Sequence, residues 1–569
     1  MKRPVIISVL TGILLAVGTV STAQSYEFNR DPLQKRAYAE LPLGHIRPEG
    51  WLKVQLSAMR NGMSGNLDTL YSAVMGPRNG WLGGDGDVWE RGPYWIDGLL
   101  PLAYILDDEA LKEKVEPWVE WALASQTPDG HFGPTQDRPY ERGLQRDKAR
   151  DWWPKMVVLK VLQQYYSATG DKRVIDFMTR YFRYQLETLP QRPLDYWTYW
   201  GKQRGADNLS VVYWLYNITG DDFLLDLGEL IHGQTLDWEG IFTNGDELYR
   251  QQSLHCVNLA QGFKAPAIYY QQSGDPALLA SLKRGVKTIR NTIGYPTGLW
   301  AGDENIRYGD PTLGSELCTA VEMMYSLEEI IKITGDPYWA DYLERVAYNA
   351  LPTQVTDNCD ARQYFQQLNQ IEVTRKYRNF STPHTDTDTV FGLLTGYPCC
   401  TSNYHQGWTK FIQNLWYSTP DGGLAALVYA PCVLTTKLAD GRRIEIREAT
   451  NYPFEENIVF DISLSGRGAS SFPLYLRKPS WSADTSFLLN GKPVVPVIAG
   501  GNVVVLNREW RDGDRLEMAF EANVKVGYWY DGAAVVERGA LVYSLKMNET
   551  WKRCEVEPER RAVYGDSYY

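Results

Sequence analysis

The amino-acid sequence predicts a mainly α protein, an (α/α)6 toroid or barrel, followed by a C-terminal all-β sandwich module. Two observations carry that expectation. Through the first two thirds of the chain an apolar helical stretch, a Thr/Ser-Gly-Asp turn and a second amphipathic stretch recur, and from about Leu424 the hydrophobic period changes to two. A third, the recurrence of aromatic and acidic segments between the helix pairs, favours a closed ring over an open solenoid.

Taken in order, Lys2 and Arg3, the apolar run from Val5 to Val17 and the small triplet Ser21-Thr22-Ala23 have the layout of a secretory signal peptide over residues 1–23. The expected location is therefore secreted or periplasmic. No later stretch offers the roughly 20 apolar residues of a spanning helix, so no integral membrane segment is expected in the mature chain. Residues 24–423 are expected to form the barrel. The repeated phrase surrounds Gly170, Gly220, Gly274 and Gly335, with a degenerate copy around Asp107. Each Gly suits a helix C-cap and each following Asp the N-cap of the next helix, so every copy reads as an αα-hairpin. A single hairpin cannot bury its apolar face alone, so the copies must stack. Between them lie PYWIDG (Pro93 to Gly98), RDWWPK (Arg150 to Lys155) and DYWTYWGKQRGADN (Asp195 to Asn208), read as loops on one rim of the ring. Residues 424–569 carry short β-rich runs separated by the turn signals Asn490-Gly491 and Asp512-Gly513-Asp514, as in a sandwich. The chain stops at Tyr569 after a turn-like segment, which leaves open a truncation of this module.

Formal charge is −11 with Lys and Arg scattered, which gives no electrostatic footprint for nucleic acid and suits a neutral or weakly charged ligand. The 20 Trp and 37 Tyr are equally consistent with large helical cores and with platforms for sugar rings. Seven cysteines occur, so at least one thiol is unpaired within the chain. Cys399 and Cys400 are neighbours, which disfavours a disulfide between them and favours metal ligation. Apart from Cys318, the remaining four, Cys256, Cys359, Cys432 and Cys554, read as buried thiols or one incidental disulfide.

Three segments concentrate chemistry: GDEN at Gly302 to Asn305, SELC at Ser315 to Cys318, and YPCCTSN at Tyr397 to Asn403. Glu316 and Cys318, two apart before an amphipathic helix, can grip one ion from an extended turn. With Cys399 and Cys400 they make a Cys3Glu set, and soft thiolates select zinc over calcium or magnesium.

These motifs resemble the DUF1680 group of glycoside hydrolases, the family-127 β-L-arabinofuranosidases. The resemblance runs from near Leu41 (LPLGHIRPEGWL) to the chain end, through Glu316-Leu317-Cys318, the pair Cys399-Cys400 and LERVAYNAL at Leu343 to Leu351. It implies an (α/α)6 barrel with β-sandwich modules, Zn2+ held by Glu316, Cys318, Cys399 and Cys400, Cys399 as nucleophile and Glu304 as general acid/base. It also implies sugar contacts from His255 and Glu344. The chain departs from the family's Gly-Glu-Ala-Phe-Gly, having Gly-Asp-Glu-Asn, which leaves Asp303 as a competitor to Glu304. Where the family places histidines on two barrel loops, Asp151-Trp152-Trp153 and Asp207-Asn208 stand here. Asp151, Trp152, Asn208 and Trp200 are accordingly the expected substrate contacts.

The implied function is a secreted, retaining glycoside hydrolase that releases a terminal β-L-arabinofuranose, or a related rare pentose, from an oligosaccharide or polysaccharide. A dry pocket is expected to raise the pKa of Glu304. Two other classes compete: a polysaccharide lyase on a toroid, which needs a Tyr or His base and a uronate, and a non-catalytic glycan-binding protein with a structural zinc. The oligomeric state is not legible.

Overall fold

Helix caps explain the layout of the first two thirds. In the computed structural model, which describes residues 28–245, 248, 254–554 and 567–568, Gly170, Gly220, Gly274 and Gly335 all end helices in the left-handed conformation. Asp275 and Asp336 then cap the next helices through their side chains. In the degenerate copy Asp107 takes the left-handed position and Asp108 the cap. The signal-peptide segment, residues 1–23, lies outside the described residues.

The principal helices are α1 (Gly50–Asn61), α2 (Arg91–Leu106), α3 (Glu109–Ala124), α4 (Trp152–Thr169), α5 (Arg173–Thr188), α6 (Gly205–Thr219), α7 (Phe223–Gln234), α8 (Cys256–Gly262), α9 (Ala265–Ser273), α10 (Pro276–Thr292), α11 (Leu317–Thr334), α12 (Pro337–Asn349), α13 (Cys399–Asn403) and α14 (Gln406–Gln413). They fall into two sets. Helices such as α10 bury one stripe (Leu278, Leu282, Val286, Ile289) at helical spacing and face water elsewhere. Helices α6 and α11 are buried on every side from Gly205 to Tyr216 and from Leu317 to Ile333. The buried set packs in cyclic order: α2 on α4, α4 on α6, α6 on α9, α8 and α9 on α11, α11 on α13 and α14, and α14 back on α2.

Helices α2, α4, α6, α11 and α14 and the junction of α8 with α9 each send a polar side chain to a common central layer. Lys160 of α4 lies 2.8 Å from Asp207 of α6 and 3.6 Å from Asp97 of α2. Lys264, between α8 and α9, lies 3.0 Å from Asp207, and Lys410 of α14 lies 2.7 Å from Asp97. All three ammonium groups also sit over the ring of Tyr325 from α11, at 4.7, 5.1 and 4.4 Å. Asp97 therefore belongs to a buried helix, not to a rim loop: PYWIDG is helical because Pro93 falls in the first turn of α2, where a missing N–H costs nothing.

The C-terminal region is all β. A seven-stranded sheet runs in the order 492–493, 485–489, 515–520, 457–464, 443–450, 432–437 and 46–48, and a six-stranded sheet in the order 39–40, 416–418, 424–426, 470–477, 503–510 and 497–500. Alternate burial along Asn457–Leu464 and the contact of Trp416 with Phe460 at 5.8 Å bring the two inner faces together. Asn490 and Gly491 both adopt positive φ, at 51° and 75°, between paired strands, as a tight hairpin requires. Strands 39–40, 46–48 and 416–418 come from the stretch read as barrel and join these sheets, so the N-terminal segment and the chain after α14 stitch the two regions together. Three further strands, 524–528, 534–538 and 541–543, form a small separate sheet.

Candidate active site

Two helix starts build the centre of the site. Glu316 ends a two-residue strand and stands at the N-cap of α11, so Cys318 falls in its first turn. Cys399 and Cys400 open α13 after Pro398. The four ligand atoms lie within 4.8 Å of one another. Cys318 Sγ is 3.8 Å from Cys399 Sγ and 3.1 Å from Cys400 Sγ, and the vicinal sulfurs are 4.0 Å apart. Glu316 Oε1 stands 3.7 Å from Cys399 Sγ and 3.6 Å from Cys400 Sγ. A tetrahedral zinc with Zn–S bonds of about 2.3 Å separates its sulfurs by roughly 3.8 Å, so the donor set and its spacing fit that ion. Among the described residues no lysine or arginine bonds any of the four groups. The cluster can hold a metal.

Protonation is divided unequally inside it. Burial opposes ionisation of Cys399, but hydrogen bonds from the Cys318 and Cys400 thiols hold it well below the ordinary thiol range. Burial, with the neighbouring charge, pushes Cys318, Cys400 and Glu316 well above theirs. Cys399 is also the one ligand that is half-buried, the other three being fully buried. One sulfur thus combines a lowered pKa with partial exposure.

Glu304 stands at the tip between strands 302–303 and 305–306, where the pairing of Asp303 with Asn305 leaves it at positive φ, 74°. That rare conformation for a non-glycine residue swings its carboxylate into the pocket. Oε2 lies 2.9 Å from His255 Nε2, Oε1 lies 2.6 Å from His384 Nε2, and the Tyr364 hydroxyl donates to Oε1. The same hydroxyl is 3.8 Å from Cys399 Sγ. Asp303 faces away, accepting from the backbone N–H of Ser381 at 2.9 Å. The expectation of a raised Glu304 pKa fails: burial does raise it, but the hydrogen bonds and charge of His255 and His384 outweigh burial and hold the carboxyl below its usual range. His384 moves the other way, its bond to Glu304 overcoming the lowering by burial.

The remaining wall comes from α4, α6 and the loop before α6. Trp200 meets His255 edge-on at 5.1 Å. Arg204 lies between Trp153 and Trp200, 4.3 Å from each ring, and pairs with Glu90 at 3.4 Å. Trp153 Nε1 donates to Glu90 Oε2 at 2.5 Å, and burial pushes the Glu90 carboxyl up to about 7 against the pull of Arg204, the charge of Cys399 adding to the rise.

Of the expected contacts, His255 and Trp200 are in this pocket and four are not. Glu344 is a correction: it is buried under the β sheets, where it accepts from Tyr429 N at 3.1 Å and Tyr452 Oη at 2.5 Å and pairs with Arg477. Both carboxylate oxygens are spent there. Asp151 is buried as the cap of α4, accepting from Trp153 N, Trp89 Nε1 and Thr198 Oγ1. Trp152 is buried with its Nε1 donating to the Arg192 carbonyl at 3.0 Å, and Asn208 Nδ2 donates to Gln185 at 2.8 Å inside the core. Helix periodicity explains these misses, since residues beside a pocket residue in sequence point elsewhere on a helix. Cys256, Cys359 and Cys432 are buried free thiols; the Cys554 side chain lies outside the described set.

The sequence reading missed Tyr364, His384, Glu90 and Arg204. His384 had one usable signal, as one of only six histidines in the chain. Tyr364 had none locally: it reaches the pocket because its neighbour Phe365 pairs with Glu316 across strands.

Comparison with known proteins gives a consistent picture. The model of the β-L-arabinofuranosidase, GH127 catalytic domain matches residues 23–413, and that of the GH127 middle domain matches residues 423–522. A solved glycoside hydrolase is 17% identical with a TM-score of 0.68, covering 91% of this chain and 85% of its own. A GH127 β-L-arabinofuranosidase from Geobacillus stearothermophilus T6 is 18% identical with a TM-score of 0.68, over 90% of this chain and 86% of its own. A further GH127 β-arabinofuranosidase, 18% identical, has a TM-score of 0.65 over 89% and 85%. No curated protein matches the chain.

Proposed function

Because the chain belongs to the GH127 β-L-arabinofuranosidase family and is a glycoside hydrolase, we propose that it is an exported, retaining enzyme that uses Cys399 to release a terminal β-L-arabinofuranose or a related neutral pentose from a glycan. The observation that carries this is the position of Cys399. It is the half-buried member of the cluster, its neighbours' thiols hold it well below the ordinary thiol range, and it shares the Tyr364 hydroxyl with Glu304.

The cyclic packing of the buried helices supports an (α/α)6 toroid carried by the helices between Gly50 and Gln413, with a β module that also draws in strands 39–40, 46–48 and 416–418. Glu316, Cys318, Cys399 and Cys400 would hold Zn2+. When bound, the ion supplies a charge that keeps Cys399 a thiolate and favours that thiolate as a leaving group. In the first step Cys399 Sγ bonds to the anomeric carbon as the glycosidic C–O bond breaks, and the proton that His384 shares with Glu304 Oε1 passes through that carboxylate to the departing oxygen. In the second, Glu304 takes a proton from water, the water oxygen bonds to the anomeric carbon, and the C–S bond breaks to return the thiolate. His384, held above its ordinary pKa 2.6 Å from Glu304 Oε1, keeps a proton at the place where it is needed. His255 fixes the other carboxylate oxygen, and Trp200 walls the sugar.

The test is hydrolysis of aryl and disaccharide L-arabinofuranosides, alongside other pentosides, with and without a chelator. Chelator-sensitive release with the anomeric configuration of the first product retained is the expected result. Unsaturated products absorbing in the ultraviolet would instead favour elimination, and binding without turnover a glycan-binding role.

A further inference from the structure

The aromatic loop 195–200 serves two hollows. Trp200 meets His255 in the catalytic pocket at 5.1 Å, and Tyr199, 51% exposed, lies against Trp200 with ring centroids 4.6 Å apart and the planes tilted by 30°. Tyr196, 56% exposed, meets Trp197 edge-on at 5.0 Å, and both line a separate open cleft with Asp129, Arg150, Glu187 and Arg192. Helix α4 divides in the same way. Trp153 bonds Glu90 in the pocket, whereas Trp152 backs the cleft by packing on Trp197 at 5.3 Å. Thr198, between the two aromatic pairs, is anchored to Asp151 at 2.6 Å, which holds the loop in register.

The chemistry of the cleft is specific. Its four charged groups comprise two cations and two anions, and among the described residues none of them is ion-paired. Arg192 lies over the Trp197 ring at 6.0 Å. Balanced planar charged groups without ion pairs, of which Asp129 accepts from the Thr127 hydroxyl and the His131 N–H through Oδ1 alone, suit a neutral polyhydroxylated ligand beside an accessible aromatic edge: the ring faces of sugars pack on the aromatics and their hydroxyls bridge carboxylate and guanidinium. A polyanion would meet two carboxylates and a polycation two guanidiniums.

We propose that this cleft is a distal subsite for a neutral oligosaccharide, holding the glycan chain whose terminal residue enters the Cys399 pocket over Tyr199. The proposal rests on the hydrolase reading for the direction of the chain, but not for the existence of the site. It is tested by calorimetric titration of the full-length Glu304→Gln protein, in which ligands are not consumed, with arabinan, galactan and xylan oligosaccharides and their monosaccharides. Affinity rises with chain length for at least one series, and adding Tyr196→Ala or Arg192→Ala removes roughly tenfold of that gain, the size of one lost stacking or charged contact. Absence of any length dependence, or its persistence in both variants, overturns the subsite. Cleavage of aryl arabinofuranosides by the wild-type protein reports separately on the catalytic reading, so either conclusion can fall without the other.

Discussion

Two of the protein's buried polar clusters differ in one respect: whether their charges cancel. The central layer gathers Lys160, Lys264 and Lys410 against Asp97, Asp207 and the face of Tyr325, with the buried Glu322 of α11 as a third carboxylate facing Lys160 and Lys410. The cluster at the starts of α11 and α13 gathers three thiols and a carboxyl with no lysine or arginine bonded to them among the described residues, its one basic neighbour being His255, 3.6 Å from Glu316 Oε2. The first set is satisfied by its own members and braces the ring. The second, once ionised, would carry more negative charge than the single imidazole beside it offsets, which suits a site completed by a cation. Burial and polarity alone would not separate the two; charge balance does.

Substitutions sharpen that contrast. The largest effect is expected from Cys399→Ser, which should lower kcat on an arabinofuranoside by at least about a thousandfold while leaving the fold intact by circular dichroism. Retained turnover would remove the nucleophile. Glu304→Gln should follow with a loss of roughly a hundredfold to ten-thousandfold, partly restored on substrates whose leaving group needs no protonation. Chelation should abolish activity and lower Tm, because a ligand held only by the folded state stabilises it, and elemental analysis should return about one zinc per chain. An unchanged Tm after complete metal removal would make the cluster energetically idle.

In the central layer the expectation reverses. Lys410→Met leaves Asp97 with a weakened partner set and should cost about 3 to 5 kcal/mol in denaturant unfolding, with metal content unchanged. A pH dependence goes with this layer. Burial raises the Asp207 carboxyl, but Lys160 and Lys264 outweigh it and hold it at about 2. Its folded pKa is depressed, so its contribution is fully present above the unfolded value of about 3.9 and is lost as pH falls toward about 2. Asp207→Asn should flatten the acid limb of stability over that window. The smallest effect is expected at the barrel–β boundary, where Glu344→Gln should cost about 1 to 3 kcal/mol, since Arg477 keeps Asp341, and should leave KM for the sugar unmoved. A raised KM would return Glu344 to the substrate.

The sequence by itself determined the features set by short-range rules. Gly170, Gly220, Gly274 and Gly335 announced helix ends because only glycine takes the left-handed cap without strain, and Asn490-Gly491 announced a hairpin for the same reason. Glu316, Cys318, Cys399 and Cys400 were legible because metal-ligand chemistry uses few residue types at short spacing. Tertiary structure decided what depends on direction. Whether the carboxylates of Glu344, Asp151 and Glu304 meet solvent, a cap or a pocket is fixed by which face of an element packs inward, and no local pattern records that. The same holds for Tyr364 and His384, whose hydrogen bonds to Glu304 span 60 and 80 residues of chain and exist only because the elements carrying them converge.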